Sequence, residues 1–153
     1  MAHLQVYLFG APRIERAGVP VAAERRKALA LLAYLAATRQ PHGRDALAAL
    51  LWPELDQQRA RAALRRTLFS LNEALGKGCI QTEGDCLALS GALYAAVDVD
   101  HFRALLAKAA AHDHRPFRLC DDCLADLTRA AELYRGDFLA GFTLEDTAEF
   151  DDW

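Results

Sequence analysis

The chain has 153 residues, 53% of them hydrophobic and 25% charged, enough to bury a core in one domain or one and a half. No run approaches the roughly 18 apolar residues that crossing a bilayer takes, and Met1 to Phe9 lack the Lys or Arg of a secretory signal, so a cytoplasmic chain with no membrane partner is expected. The net charge of −3 conceals an asymmetry: residues 1–76 hold 11 Lys+Arg against 6 Asp+Glu (+5), and residues 77–153 hold 7 against 15 (−8), which suggests two modules with different partners, the first suited to nucleic acid.

The opening segment reads as a small antiparallel sheet. Leu4, Val6 and Leu8 alternate with Gln5, Tyr7 and Phe9, Gly10-Ala11-Pro12 breaks the run, Arg13 to Arg16 resumes it, and Gly18-Val19-Pro20 turns again. A helix is expected from near Glu24, with Ala28, Leu31, Leu32 and Leu35 on one side, Tyr34 beside them and Gln40-Pro41 at its end. The next helix opens at Arg44-Asp45 with Asp45 as N-cap, buries Leu47, Leu50 and Leu51, and stops at Trp52-Pro53.

The following stretch, Asp56 to Gly76, has two well-separated faces. At about 100° per residue, Ala60, Leu64, Leu68, Leu71 and Leu75 share one narrow side. Opposite lie Arg59, Ala62, Arg66 and Glu73, with Arg61 and Arg65 on one flank. A solvated charged face is the ordinary explanation of such a helix. Its neighbours argue otherwise: Cys79 to Thr82, a turn at Glu83-Gly84-Asp85, and Cys86 to Leu89 read as a hairpin. Sheet, helix, helix, basic helix, hairpin is the order of a winged helix, whose third helix enters the major groove while the hairpin lies against phosphates.

The segments Arg25 to Leu35, Arg44 to Leu47 through Leu51-Trp52-Pro53, Arg61 to Arg66 and Tyr134 to Leu139 resemble the Streptomyces antibiotic regulatory protein family, and together they span nearly the whole chain. The resemblance implies an α+β chain: a winged helix of the OmpR type over residues 1–92, then the N-terminal part of a helical, tetratricopeptide-like bacterial transcriptional activation domain over 93–153. It implies a transcriptional activator on double-stranded promoter DNA, commonly as copies on direct repeats. Two positions depart from the pattern. Asn72 stands where relatives often carry Arg, and the wing turn is acidic where a phosphate-hugging wing is basic. Arg59, Arg61, Arg65 and Arg66 are the expected DNA contacts, with Arg44 on phosphate at a helix start. Arg59 and Arg66 are the most outward and suit base edges, while Arg61 and Arg65 on the flank suit phosphate.

In the acidic half, a helix capped by Asp within Val97 to Asp100 is expected to run to about Ala111 with Val99, Phe102, Leu106 and Ala109 buried. A second follows with a stripe of Leu124, Leu127, Ala131, Tyr134 and Phe138 and with Gly136 near its end, making an antiparallel hairpin. Asp146 to Glu149 resembles a capping box, after which Phe150 and Trp153 point to one side. Members of the family continue with further hairpins, so a fragment of a longer regulator is expected.

The loop of this hairpin holds His112, His114, Cys120 and Cys123, a set with the chemistry of a tetrahedral zinc site. Buried thiols beside solvated histidines, or a redox pair at a helix N-terminus, are the competing readings. The resemblance favours a structural zinc, since some longer relatives share the His and Cys pattern. Cys79 and Cys86 flank the wing turn, where Cys86 would face Gln81 or Thr82 and Cys79 would face Ala88 or Leu89. In that register they are poorly placed to bridge and read as small hydrophobes.

No phosphate loop or nucleophile elbow occurs, and the pairs Asp121-Asp122 and Asp151-Asp152 sit at helix starts, where acids need no catalytic explanation. His3, His42 and His101 read as surface residues. A non-enzyme is expected: a DNA-binding regulator whose acidic half meets RNA polymerase, its own C-terminal region or a second copy. The other class is an interaction adaptor working through the helical hairpin, with the winged module as packing.

Overall fold

The alternation at the N-terminus becomes a three-stranded antiparallel sheet, β1 (Leu4–Tyr7), β2 (Arg13–Arg16) and β3 (Val19–Val21), in a computed structural model that describes residues 3–22, 26–113 and 118–153. Val6 opposes Ile14, and both are buried. The second turn is tighter than Gly18-Val19-Pro20. Ala17 and Gly18, at φ 52° and 78°, form a two-residue hairpin of the kind that needs positive φ twice, and Pro20 falls inside β3. Proline is tolerated there because β3 is an edge strand.

Three helices carry the core of the basic half. They are α1 (Arg26–Thr38), α2 (Arg44–Leu51), joined to α1 through the two-residue strand β4 (His42–Gly43), and α3 (Gln57–Leu75). Glu24, the expected start of α1, lies outside the described residues. Ala28, Leu31, Leu32 and Leu35 of α1 and Leu47, Leu50 and Leu51 of α2 are all buried, as their spacing predicts. Asp45 is not the N-cap of α2. Gly43 holds that position without a side-chain bond, and Asp45 sits in the first turn facing α3. His42 is half-buried rather than an ordinary surface residue. Its Nε2 lies 2.7 Å from Thr38 Oγ1, its ring meets Tyr34, and burial lowers its pKa.

α3 starts where Asp56 accepts a hydrogen bond from Arg59 N at 2.9 Å. It ends at Gly76, whose φ of 99° suits glycine alone. The five apolar positions predicted to face the core are buried, each leucine among them contributing about 1.5–3 kcal/mol by leaving water. Arg16 reaches from β2 to donate to Ala74 O at 3.0 Å, a cation on the last carbonyls of α3.

The wing is β5 (Ile80–Glu83) and β6 (Cys86–Leu89), with β4 added as a third strand in the order β4-β6-β5. Its turn is only Gly84-Asp85, so Glu83 faces Cys86 and Ile80 faces Leu89. The register is therefore tighter than Gln81 or Thr82 opposite Cys86, and Cys79 falls beyond the ladder, where its carbonyl accepts from Ser90 N. Neither cysteine is in a disulfide.

A short helix, α4 (Gly91–Tyr94), leads into α5 (Asp98–Ala111), α6 (Asp121–Leu133) and α7 (Ala148–Asp152). On α5 the buried leucine is Leu105, not Leu106, which is exposed, and Phe102 is half-buried against the core. α6 departs further. Its inward residues are Cys123 and Ala130, while Leu124, Tyr134 and Phe138 are exposed. The helix stops at Leu133, and residues beyond it cross to the sheet, where Leu139 N donates to Leu8 O and Gly10 N to Asp137 O. A hairpin helix with one neighbour needs only a narrow inward stripe, and small residues let α5 and α6 approach closely.

The capping box at α7 does not form. Thr147 occupies the cap position without a side-chain bond, and Asp146 instead pairs with Lys27 Nζ at 2.9 Å. Phe150 and Trp153 do share a side, with their rings 5.7 Å apart. One hydrophobic core runs through the chain and includes Val97, Val99, Leu144 and Phe150 beside the residues of α1 to α3. Asp98 fastens the acidic half to the sheet. Its buried carboxylate accepts from Leu8 N at 2.9 Å, Phe9 N at 3.1 Å and Val99 N at 2.8 Å.

Candidate nucleic-acid interface and metal cluster

The face of α3 opposite its leucines carries Arg59, Ala62, Arg65, Arg66, Phe69 and Glu73. Arg59 is 77% exposed, with Asp56 as a neighbour at 3.6 Å. Arg65 and Arg66 are exposed and make no ion pair among the described residues. Between the arginines, Ala62 adds only a methyl group, which leaves the backbone of α3 able to approach a groove. Among the described residues, the C-terminal hairpin supplies no carboxylate to any arginine of α3.

Arg61 and Arg44 are arranged differently. Arg61 donates to Asp45 Oδ1 at 2.6 Å and, through Nη2, to Asp85 at 3.2 Å, while Arg44 lies 4.0 Å from the same Asp85. Asp45 on α2 and Asp85 at the wing tip thus gather two of the five expected DNA contacts into a surface ion cluster. Hydrogen bonding from Gln57 holds the Asp45 carboxyl below its usual range; burial opposes this, and the hydrogen bond and charge of Arg61 add to the lowering. The acidic wing turn therefore has a local purpose. It ties the wing to the start of α2, with Arg44 N donating to Asp85 O at 2.9 Å, and through Arg61 to the first turns of α3. Exposed pairs of this kind are worth only about 0–1 kcal/mol, so a phosphate can displace them.

The metal-like residues also come together. Nδ1 of His112 lies 3.1 Å from Sγ of Cys123 and 3.2 Å from Sγ of Cys120, and all three donor atoms fall within 4.8 Å of one another. Tetrahedral zinc separates N and S ligands by about 3.5 Å, so a few tenths of an ångström of opening admits the ion. Cys120 is the N-cap of α6 and accepts from Cys123 N at 3.4 Å. The fourth expected ligand, His114, lies outside the described residues. Burial, helped by Cys120 and by the nearby Asp126 and Asp122, pushes the Cys123 thiol up to about 11 when no metal is bound.

The fold is similar to that of EmbR. A solved structure of Mycobacterium tuberculosis EmbR, in complex with a low affinity phosphopeptide, superimposes with a TM-score of 0.70 at 23% identity. The match covers 99% of this chain and 41% of that one, so the chain spans well under half the length of EmbR. No protein-family model and no curated protein matches the sequence. The likeness to EmbR supports the α+β architecture of winged helix and helical hairpin.

Of the expected DNA contacts, Arg59, Arg65 and Arg66 share one open face, whereas Arg44 and Arg61 stand at its edge inside the carboxylate cluster. Sequence reasoning passed over Phe69, which is 69% exposed at the centre of that face. The signal was present, since Phe69 lies seven residues after Ala62 and seven residues return a helix to nearly the same side. No helix is long and apolar enough to cross a membrane among the described residues.

Proposed function

We propose that this chain is the DNA-binding end of a transcriptional activator, with residues 1–92 docking α3 in the major groove of promoter DNA and residues 93–153 beginning a helical activation domain. The observation that carries this reading is the open face of α3, where Arg59, Arg65 and Arg66 surround a small residue on the third helix of a winged fold. Arg59 and Arg66 read base edges. Arg65 meets phosphate, as do Arg61 and Arg44 once DNA displaces Asp45 and Asp85. The resemblance to the Streptomyces antibiotic regulatory protein family supports the same role, including copies on direct repeats and a cytoplasmic, non-enzymatic protein. Leu106, Leu119 and Leu124 expose apolar surface in the hairpin region. They favour a protein contact there, whether RNA polymerase or the regulator's own C-terminal region. The same surface would serve an adaptor.

Binding to duplex DNA across a salt series separates the two. The regulator is expected to bind at low salt and to lose affinity steeply toward physiological salt, with a log–log slope of about −3 to −5 for the arginines named. Absence of retention on heparin and duplex DNA at low salt would leave the adaptor. In the same assay Asp85→Ala is expected to raise nonspecific affinity several-fold and to steepen the slope by about 1, because Arg61 and Arg44 become available to phosphate. If affinity and slope both stay put, the wing carboxylate does not compete with DNA.

The cluster of His112, Cys120 and Cys123, with His114, is suited to a structural zinc that pins the hairpin loop to the start of α6. Both thiols must lose protons to bind it, so affinity should fall as pH drops. Elemental analysis of protein purified without chelator is expected to give close to one zinc per chain, and less than about a tenth of an equivalent would remove the site.

A further inference from the structure

Phe69 is the part of the open face of α3 that arginine chemistry does not explain. It is the most exposed large hydrophobic residue among those described, at 69%, and no aromatic ring packs against it there. The ring stands as a ridge between two shallow grooves. One, of about 490 Å³, is lined by Val21, Arg66, Ser70 and Glu73. The other, of about 280 Å³, is lined by Arg44, Arg65, Asn72 and Thr82. Covering such a ring removes apolar surface from water, which favours an occupant that offers it an apolar contact.

The surroundings narrow what that occupant is. Arg65 and Arg66 flank the ring one turn toward the N-terminus, and they call for a polyanion. Glu73, one turn toward the C-terminus, repels phosphate, so this end of the helix suits base edges and not the backbone. A polyanion that offers an apolar group beside hydrogen-bonding edges is duplex DNA seen from its major groove, where that group is the C5-methyl of thymine. We propose that Phe69 is a specificity-determining residue that packs on a thymine methyl at the centre of the site read by α3. The proposal rests on the DNA-binding reading above, and it adds the base that the helix prefers.

Deoxyuridine pairs as thymidine does but lacks the methyl. With the full chain, bound duplexes are first selected from a random pool, and each thymine of the best site is then replaced singly by deoxyuridine in a fluorescence titration. At one or two positions the wild type is expected to lose about fourfold in affinity, the factor for burying one methyl group. Phe69→Ala should weaken binding to the thymine duplex and make the two duplexes equal, with the salt slope unchanged. Phe69→Leu should keep part of the preference. Because the residue is exposed, neither variant should unfold. If no thymine shows a methyl effect, or if the effect survives in Phe69→Ala, the assignment is wrong while salt-dependent binding, and hence the DNA reading, still stands. That second outcome, with sequence preference intact in Phe69→Ala, would instead fit a ring that meets a protein. Loss of all duplex binding by the wild type overturns both.

Discussion

Replacing Arg59 and Arg66 together by alanine is expected to weaken binding to a selected duplex by about a hundredfold or more, while binding to a scrambled duplex falls far less. Each guanidinium that meets a base edge with two hydrogen bonds contributes about 1–3 kcal/mol of discrimination, and the two residues lie on one side of α3, separated by two turns. The variant should fold normally. Both positions are exposed, Arg66 has no ion-pair partner among the described residues, and Arg59 has only the surface pair with Asp56. Alanine is also the best helix former. The contrasting variant, Arg65→Ala, should weaken both duplexes alike and flatten the salt slope by about 1, the signature of a phosphate contact. Fluorescence anisotropy on the two duplexes at several salt concentrations reads both effects. Equal losses on selected and scrambled DNA for the double variant would move Arg59 and Arg66 to the backbone and leave the base readout elsewhere on α3.

What could be read in advance divides by the range of the interaction. α3 was legible because its information is local: Asp56 caps it, the leucine stripe repeats at helical spacing, and Gly76 ends it. The wing hairpin was legible as an element but not in register. Two- and three-residue turns around Gly84 use the same residues, and the Gly84-Asp85 turn is fixed by its fit to β4, a partner far away in sequence. The fate of Asp45 illustrates the same divide. A carboxylate beside a helix start looks like a cap, yet Arg61, sixteen residues on, holds it instead. In the second half, Leu105 and Leu106 are chemically equal, and only the position of α6 decides which is covered. Around α6, Leu124, Tyr134 and Phe138 form a stripe at helical spacing that the structure leaves exposed. The helix ends early so that the chain can return to β1. The metal-like cluster was legible from cysteine spacing at a helix start, where i and i+3 share a side.

Asp98→Ala is expected to destabilise the protein by about 3–5 kcal/mol, enough to leave a marginally stable chain partly unfolded at room temperature. Alanine would strand Leu8 N and Phe9 N, two buried donors at the end of β1, and remove the charge that stitches α5 to the sheet. Each stranded buried donor costs about 1–3 kcal/mol. Asp98→Asn should lose less, since one oxygen remains to accept, although its NH2 group faces a donor. The wild type carries a further signature in pH. Burial raises the Asp98 pKa, against the opposing effect of the backbone hydrogen bonds from Leu8, Phe9 and Val99. A folded state that holds the proton more tightly than the unfolded chain is most favoured below the ordinary carboxylate range. Its contribution then falls as pH rises toward the raised pKa and is level above it. Asp98→Asn has no proton to lose there, so its deficit relative to wild type should be largest in acid and shrink across that window. Urea unfolding of both proteins at a series of pH values measures this. A deficit that instead grows with pH would mean that the backbone hydrogen bonds outweigh burial at Asp98, and that the carboxylate is held charged by the sheet end rather than at the expense of it.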